Sequence, residues 1–435
     1  MTETAVRSGR WQFRPERSAF RRLWTAQTVS LLGSQVSLIA FPLTAVVLLH
    51  AGSGGVGLLG AAERLPFLLF GLVAGVLVDR WRPRRVMLAG DWIRAAALAL
   101  IPVAAWMHAV TLWWMCAIAF VVGVATVFFD IAYQSALTDV VETEELVDAN
   151  RLLESSRTIA EVSGPGLAAV LLKVASAPVS ILVDAFSFAV SALCLQSTPA
   201  GRSAEEGPRN EEAGAARGSI RSELMTGLRF IRDTEFLRWN AVIGATWNLL
   251  LQALLAVFFV FLARDLKLGS STVALVVLAG SVGGLAGVAV MGRINKWFGL
   301  GPGIAIATCT SAVGGLVLAT AGGSVRAALI VGAAYLIINA SFPLFDVNVI
   351  SIRQAITPAH LMSRTTAAMR FLVWGTLPLG ALLGGFLGEA IGNRPTIVVL
   401  GLAQLLPALL TLVSPIRRIR TMSDVAVGET QSRTA

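Results

Sequence analysis

Long apolar runs alternate with short polar stretches along almost the whole chain. Each run holds about 20 residues, the length that a helix needs to cross the hydrocarbon core of a bilayer. About twelve such runs can be counted, in two sets of six. The pattern predicts an all-α membrane protein with twelve transmembrane helices in two six-helix bundles. The predicted spans are Leu23–Leu49, Val56–Val78, Val86–Trp106, Leu112–Ile131, Leu152–Val174, Val179–Leu195, Ala241–Leu262, Thr272–Met291, Gly303–Ala321, Ala327–Phe345, Ala367–Leu387 and Thr396–Val413.

The polar stretches set the expected domain boundaries. We expect a cytoplasmic tail at 1–22, a first bundle at 23–196, a cytoplasmic linker at 197–238, a second bundle at 239–414 and a second tail at 415–435. The linker begins with a Gly/Ala/Glu-rich segment that has no apolar spacing and is predicted to be flexible. It ends in a basic amphipathic helix, which either lies on the inner leaflet or packs against the protein's own cytoplasmic face. The apolar positions of this helix are Ile220, Leu224, Leu228 and Ile231.

The composition supports a membrane protein and excludes several other classes. Hydrophobic residues make up 55% and charged residues 14%, whereas a soluble domain has about 25% charged residues. The net charge is +9, but the arginines lie between apolar runs rather than on one basic face, so no nucleic-acid partner is expected. The three cysteines and three histidines have no metal or catalytic spacing. We therefore expect no metal, no cofactor and no enzymatic activity.

The charge of the connections predicts the orientation. One set of loops is nearly neutral, whereas the alternate set is rich in arginine, as in "DRWRPRR" at 79–85. Positive residues stay on the cytoplasmic side. We therefore expect these loops and both termini in the cytoplasm, and the protein in the cell membrane.

The two sets of spans also repeat each other weakly. Asp130 matches Asp346, Arg157 matches Arg370, and Pro165 matches Pro378, in the same order along the chain. A duplicated six-helix unit is typical of secondary transporters. The two bundles are therefore expected to be related by a pseudo-twofold axis.

Five stretches of the sequence resemble the major facilitator superfamily. They are "RLPFLLFGLVAGVLVDRWRPRRVML", "GDWIRA", "FFDIAYQSAL", "LVDANRLLESSRTIAEVSGPGLA" and "PLGALLGGFLGEAIG". More narrowly, the chain resembles the bacterial exporter branch that includes macrolide efflux proteins and the enterobactin exporter. Residues 75–85 fit the family's loop motif GxLxDRxxxRR, but the glycine that commonly follows its first arginine is absent here. The resemblance implies alternating access driven by the proton gradient, and no GxxxxGK[ST] phosphate loop is present.

The resemblance also implies a cytoplasmic gate. In the family, the acid that corresponds to Asp79 meets a helix N-terminus of the other bundle, whose partial positive charge favours a carboxylate. Asp130 and Asp346, matched between the halves, are expected to be further gate partners. The Gly164–Pro165 pair resembles the antiporter kink, although a plain structural kink is the alternative. The expected loop residues of the gate are Gly75, Asp79, Arg80, Arg84 and Arg85, of which Arg84 and Arg85 mainly fix topology.

Ionisable residues inside spans are costly and usually face the protein interior. Asp91 with Arg94, and Arg157 with Glu161, are spaced to pair on one helix face. The candidate proton carriers are Glu63, Asp184, Glu161 and Asp91.

The resemblance implies a central cavity lined by the first, fourth, seventh and tenth spans. The first span has no acid, which favours uncharged or hydrophobic compounds. The expected substrate is therefore a small organic molecule, namely a drug, a secondary metabolite or a siderophore. A lipid or lysolipid flippase and a non-transporting membrane sensor are the alternatives. The expected lining residues are Gln27, Gln35, Trp247, Asn248, Gln252, Asn339 and Phe342.

Overall fold

The computed structural model describes residues 15–141, 145–197, 220–322, 325–358, 361–421 and 424. Most of these residues are helical, and none of them lies in a strand. Ten helices in this part of the chain are long and apolar enough to cross a membrane. The predicted all-helical membrane fold is therefore confirmed at that level.

The first half of the chain forms six long helices joined by short connections. They are α1 (Pro15–Leu43, continued by a π-helical turn at Thr44–Leu48), α2 (Ser53–Arg80), α3 (Pro83–Trp106), α4 (Leu112–Val140), α5 (Leu146–Val174) and α6 (Ala177–Gln196).

The second half also consists mainly of long helices, but two of them are interrupted. The helices are α7 (Ile220–Asp233), α8 (Glu235–Val260, continued by a π-helical turn at Phe261–Asp265), α9 (Ser270–Phe298), α10 (Leu300–Ala319), α11 (Val325–Ile356), α12 (Met362–Trp374), α13 (Thr376–Ile391), α14 (Asn393–Ala403) and α15 (Leu405–Val413). Only one residue separates α12 from α13, and one separates α14 from α15.

Several helices are longer than the apolar runs that predicted them. The fourth predicted span ends at Ile131 but α4 continues to Val140, and the tenth ends at Phe345 but α11 continues to Ile356. The length of an apolar run corresponds to the thickness of the hydrocarbon core that the helix crosses. The helix can continue beyond it, because each further residue adds one backbone hydrogen bond to an existing helix.

The helices pack mainly within each half of the chain. In the first half, α1 packs on α5 and α6, α2 on α4, and α3 on α4 and α6. In the second half, α11 packs on α9 and α10, and α8 packs on α13 and α14. Between the halves, the main contacts are those of α2 with α13 and of α5 with α9. The interface between the halves is therefore built largely from four helices.

The arginine-rich face, as we call it, is the face at which α2 ends and α3 begins. Arg84 lies there at the start of α3. Its Nε donates to the Leu195 carbonyl at 3.0 Å, and its guanidinium donates to the Gln196 carbonyl at 2.6 Å. Arg84 thereby attaches the junction between α2 and α3 to the end of α6. The face at which α2 begins is called the opposite face.

Helix α7 packs against the protein rather than extending away from it. A Cβ atom added at Gly227 would lie 2.4 Å from the Arg364 carbonyl oxygen of α12, so the two backbones are in close contact. Ile231 is buried, and Leu224 and Leu228 pack against the core. The structure therefore favours packing on the protein's own face over a position on the leaflet.

Candidate functional site

Glycines bring α2 and α13 into direct contact near the opposite face. A Cβ atom at Gly57 would lie 2.4 Å from the Ala381 carbonyl oxygen and 2.9 Å from the Gly385 Cα atom. A Cβ atom at Gly385 would lie 2.8 Å from the Ser53 carbonyl oxygen. Only glycine permits this approach, as is common where membrane helices pack closely. The two halves are thus closed against each other at this end.

Polar contacts reinforce the same end of the interface. The Gly54 amide donates to Glu389 Oε1 at 3.2 Å, which joins the start of α2 to the end of α13. Ser53 Oγ is hydrogen-bonded to Asn393 Oδ1, and Asn393 Nδ2 donates to Asp265 Oδ2 at 3.0 Å. One hydrogen-bonded cluster therefore links the first half of the chain to two elements of the second.

The Gly164–Pro165 pair lies where α5 contacts both α1 and α9. A Cβ atom at Gly164 would lie 2.2 Å from Gln35 Cβ, so glycine allows α5 to approach α1. Pro165 has no amide hydrogen to donate to the Glu161 carbonyl one turn earlier. Ser281 Oγ of α9 donates to that carbonyl at 2.7 Å instead. The proline thereby creates a hydrogen bond between the halves.

Four charged side chains are exposed although they lie well inside the length of their helices. Asp130 and Asp346 each lie ten residues before the end of α4 and α11, about 15 Å from those ends. Arg157 and Arg370 lie about 16 Å and about 12 Å beyond the starts of α5 and α12. All four remain exposed. They are at similar depths below the arginine-rich face, and we call them the charge quartet.

Electrostatic interactions join the members of the quartet. Asp130 interacts with both Arg157 and Arg370, and Asp346 interacts with Arg157. Among the described side chains, neither aspartate makes a direct salt bridge. The two matched aspartates are therefore exposed and lie close enough to arginines for electrostatic interaction, without a direct ion pair among the described side chains.

Asp91 and Arg94 form a buried ion pair on α3, as their spacing predicted. The Arg94 guanidinium donates to Asp91 Oδ1 at 2.5 Å, and Ser191 Oγ of α6 donates to Asp91 Oδ2 at 2.6 Å. The guanidinium lies 4.1 Å from the ring centroids of both Phe129 and Phe188, which adds a cation–π contribution. Asp91 is fully buried, so in this conformation it is sealed from water.

Asp184 is also buried, between α6 and α1, and its near partners are serines. Ser34 Oγ and Ser187 Oγ donate to Asp184 Oδ1 at 3.3 Å and 3.2 Å. The remaining candidate proton carriers are more exposed. Glu63 lies 3.7 Å from Arg64, and Glu161 accepts from Arg157 Nε at 2.9 Å.

The predicted gate loop is only partly described. The side chains of Gly75, Asp79 and Arg80 lie outside the described residues. Arg84 binds the end of α6, as described above, whereas Arg85 is exposed on the arginine-rich face.

The structure separates the residues that were predicted to line the cavity. Asn339 and Phe342 line a hollow between α8 and α11. Trp247 is 1% exposed and stacks on Phe345 at 4.5 Å, so it packs inside the second half. Gln35 lies at a helix interface beside a glycine of α5. Gln252 lies at another interface, beside glycines of α2 and α13. Asn248 donates to a carbonyl of its own helix, and the Gln27 Oε1 atom is buried without a partner among the described residues. The hollow is mainly apolar and is lined by Leu251, Leu254, Leu255, Phe258, Tyr335, Ile338, Asn339 and Phe342.

Sequence reasoning missed the glycine contacts of α13 and the cluster at the opposite face. Gly380 and Gly384 lie one turn apart, and Cβ atoms there would lie 2.3 Å and 2.0 Å from carbonyl oxygens of α8. The small-xxx-small pattern of "GALLGGFLG" was the available signal. No comparable pattern pointed to Ser53, Asn393 and Asp265, which are brought together only by the packing of distant segments.

This arrangement of long apolar helices, with one end of the interface closed and charges exposed near the other, defines a membrane transporter fold. The sequence matches the family described as transmembrane secretion effectors over residues 12–431. The chain belongs to this family, and it is an efflux transporter of the major facilitator type rather than an enzyme.

Relatives and solved structures agree with the assignment. The multidrug efflux pump Tap of Mycolicibacterium fortuitum is 25% identical over 395 residues, which cover 88% of this chain and 92% of Tap. Macrolide efflux protein A of Streptococcus pyogenes is 26% identical over 177 residues, which cover 40% of this chain and 43% of that protein.

The structural comparisons show the fold alone. A mutant of the nucleoside transporter NupG has a TM-score of 0.74 at 11% identity and covers 91% of this chain and 99% of that chain. A bacterial homologue of the iron transporter ferroportin, in an inward-facing state, has a TM-score of 0.70 at 15% identity, with 91% and 98% coverage.

Proposed function

We propose that the protein exports small amphipathic organic molecules from the cytoplasm by alternating access, in exchange for protons. It acts as a monomer in the cell membrane. The observation that carries this proposal is the contact of α2 with α13, which closes the interface between the halves at the opposite face, while the charge quartet stays exposed toward the arginine-rich face. An interface that is closed at one end only supports a cavity that opens to the other face.

The proposed architecture has twelve spans in two six-helix bundles. Helices α2 and α5, although outside the ten apolar spans, are 28 and 29 residues long and pack among the others. In this scheme α12 with α13, and α14 with α15, form one span each. The separate packing of the two halves supports a boundary between bundles at 197–238.

The arginine-rich face is the cytoplasmic face in this proposal. The positive-inside rule supports this orientation, and it places both tails, 1–22 and 415–435, in the cytoplasm. In this orientation, the protein is open to the cytoplasm, and the contact of α2 with α13 closes it on the outside.

The proposed substrate class, amphipathic organic molecules, follows from the relatives. The hollow between α8 and α11 has a mainly apolar wall and a volume of about 30 Å³, whereas drug-sized ligands occupy pockets of about 300–1,000 Å³. It is therefore too small to hold the substrate in this conformation. The multidrug and macrolide names of the relatives Tap and macrolide efflux protein A support the same class.

Dye efflux from loaded cells tests the proposal. Cells that express the protein are loaded with a fluorescent amphipathic dye, and we expect faster efflux than from cells with an empty vector. A protonophore should abolish the difference. If a broad panel of compounds remains unmoved while a labelled lysolipid crosses the bilayer faster, the protein is a flippase and the proposal is wrong.

A further inference from the structure

Two adjacent charged residues, Glu63 and Arg64, lie well inside the length of α2. They are ten and eleven residues beyond its start, about 15 Å from that end of the helix. Their side chains are 44% and 35% exposed. Ionisable side chains within a span usually face the protein interior or a cavity. The direction of each side chain therefore decides what it can bind.

Glu63 points toward the second half of the chain. Residues 60, 63 and 67 share one face of α2, because they are three or four positions apart. A Cβ atom at Gly60 would lie 3.8 Å from Gln252 Nε2 of α8. The Phe67 ring contacts the Trp374 ring of α12 edge-to-face, with centroids 6.2 Å apart. Glu63 thus lies between two contacts with the second half, and its exposed part faces the space between the halves.

Helix α4 covers the neighbouring side of the same segment. A Cβ atom at Gly123 of α4 would lie 2.7 Å from the Glu63 carbonyl oxygen and 2.9 Å from Pro66 Cγ. Glu63 is therefore bordered by α4 on one side and by α8 on the other. This position belongs to the space between the halves rather than to the surrounding lipid.

Arg64 points in a different direction from Glu63. It shares its face of α2 with Gly57 and Leu68, seven positions before it and four after it. A Cβ atom at Gly57 would meet the Ala381 carbonyl of α13, and a Cβ atom at Gly375 would lie 3.0 Å from Leu68 Cδ1. Arg64 therefore faces the contact of α2 with α12 and α13. Of the two charges, the carboxylate is the one that is presented to the space between α4 and α8.

The groups around Glu63 suit a positive charge. The rings of Phe67 and Trp374 lie one turn closer to the arginine-rich face, and Trp374 is 44% exposed. The Arg370 guanidinium lies 5.3 Å from the centroid of the Trp374 ring, so this ring already accepts one cation. Arg370 precedes Trp374 in α12 and lies on the far side of the ring pair from Glu63. A carboxylate beside aromatic rings is a combination that recognises organic cations.

We infer that Glu63, with Phe67 and Trp374, forms a subsite that selects organic cations among the exported molecules. This inference rests on the proposed export function and narrows its substrate class. The first span has no acid, so the negative charge comes from the second span instead. Leu255, one turn beyond Gln252 on α8, lines the apolar hollow. An amphipathic cation would place its charge at Glu63 and its apolar part toward α8.

Arg64 competes with the substrate for Glu63. Its Nη2 atom lies 3.7 Å from Glu63 Oε1, and a half-exposed pair at this distance is weak. A bound cation replaces Arg64 as the main partner of the carboxylate. Loss of Arg64 should therefore strengthen cation binding, whereas an ion pair with a structural role alone would make the loss of either residue harmful.

Two hydrophobic ions of nearly equal size and opposite charge test the subsite. Saturable binding of radiolabelled tetraphenylphosphonium and tetraphenylborate to the purified protein in detergent is measured by equilibrium dialysis, at constant pH and without a proton gradient. Wild type should bind the phosphonium more tightly than the borate. Glu63→Gln should weaken phosphonium binding about tenfold and leave borate binding unchanged or stronger. Glu63→Asp should retain part of the preference, and Arg64→Gln should strengthen phosphonium binding.

Two further variants complete the experiment. Phe67→Leu should weaken phosphonium binding a few-fold, because one ring of the subsite is lost. Glu235→Gln is the matched control, since Glu235 is exposed at the start of α8 on the arginine-rich face, and it should bind both ions as wild type does.

Four outcomes would overturn the subsite. They are equal affinity of wild type for the two ions, unchanged phosphonium affinity in Glu63→Gln, loss of both ions in Glu63→Gln, and weaker phosphonium binding in Arg64→Gln. Failure of proton-driven efflux in cells is a separate result that concerns the proposed function, because binding is measured here without a gradient.

Discussion

Replacing Asp91 with alanine removes the acid from the buried ion pair of α3. The change leaves the Arg94 guanidinium, 4% exposed, between Phe129 and Phe188 without its directly bound carboxylate. It also removes the acceptor of Ser191 Oγ. We expect correct insertion but a marked loss of stability.

The expected magnitude follows from the burial of the pair. The side chains of Arg94 and Asp91 are 5% and 0% exposed, and removing one partner of a buried pair costs about 3–5 kcal/mol. The pair of Arg157 and Glu161 has the same intrahelical form, but its side chains are 59% and 47% exposed. Glu161→Ala should therefore cost only about 0.3–0.5 kcal/mol.

The free energy of unfolding in mixed SDS and dodecylmaltoside micelles, followed by circular dichroism, measures both variants. Asp91→Ala with Arg94→Leu should recover part of the loss, because no unpaired charge remains buried. Equal costs for Asp91→Ala and Glu161→Ala would refute the reasoning from burial.

Three further changes test other contacts. Gly57→Val should reduce dye efflux severely by separating α2 from α13, whereas Gly71→Ala on the same helix, with open space around its Cβ position, should leave efflux unchanged. Gly227→Val should detach α7 and speed tryptic cleavage within it, whereas Met225→Ala, at an exposed position, should not. Asp79→Ala should reach the membrane normally but lose most efflux, as a gate carboxylate implies, whereas Arg82→Ala should retain it. Equal efflux by Asp79→Ala and wild type at equal membrane levels would remove Asp79 from the gate.

The fold was largely predictable because apolar run length alone identifies membrane helices. The predicted runs fell short of the helix ends, as at Val140 and Ile356, because polar residues continue a helix beyond the lipid. The breaks between α12 and α13, and between α14 and α15, gave no signal in hydrophobicity.

The candidate site was less predictable, because it depends on which distant segments pack together. The sequence repeat matched Asp130 with Asp346 and Arg157 with Arg370, but it could not show that Arg157 acts on both aspartates. Spacing along one helix correctly paired Asp91 with Arg94. By contrast, no sequence signal showed that Trp247 stacks on Phe345, because spacing does not reveal which neighbour covers a side chain.

Transport by the purified protein in proteoliposomes tests the central claim most directly. A fluorescent amphipathic substrate is added outside vesicles whose interior is acidic, with a pH-sensitive dye enclosed. The account predicts that substrate accumulates against its own gradient, that protons leave as it enters, and that a protonophore collapses both. Substrate movement only down its own gradient, independent of pH and without proton movement, would contradict the account.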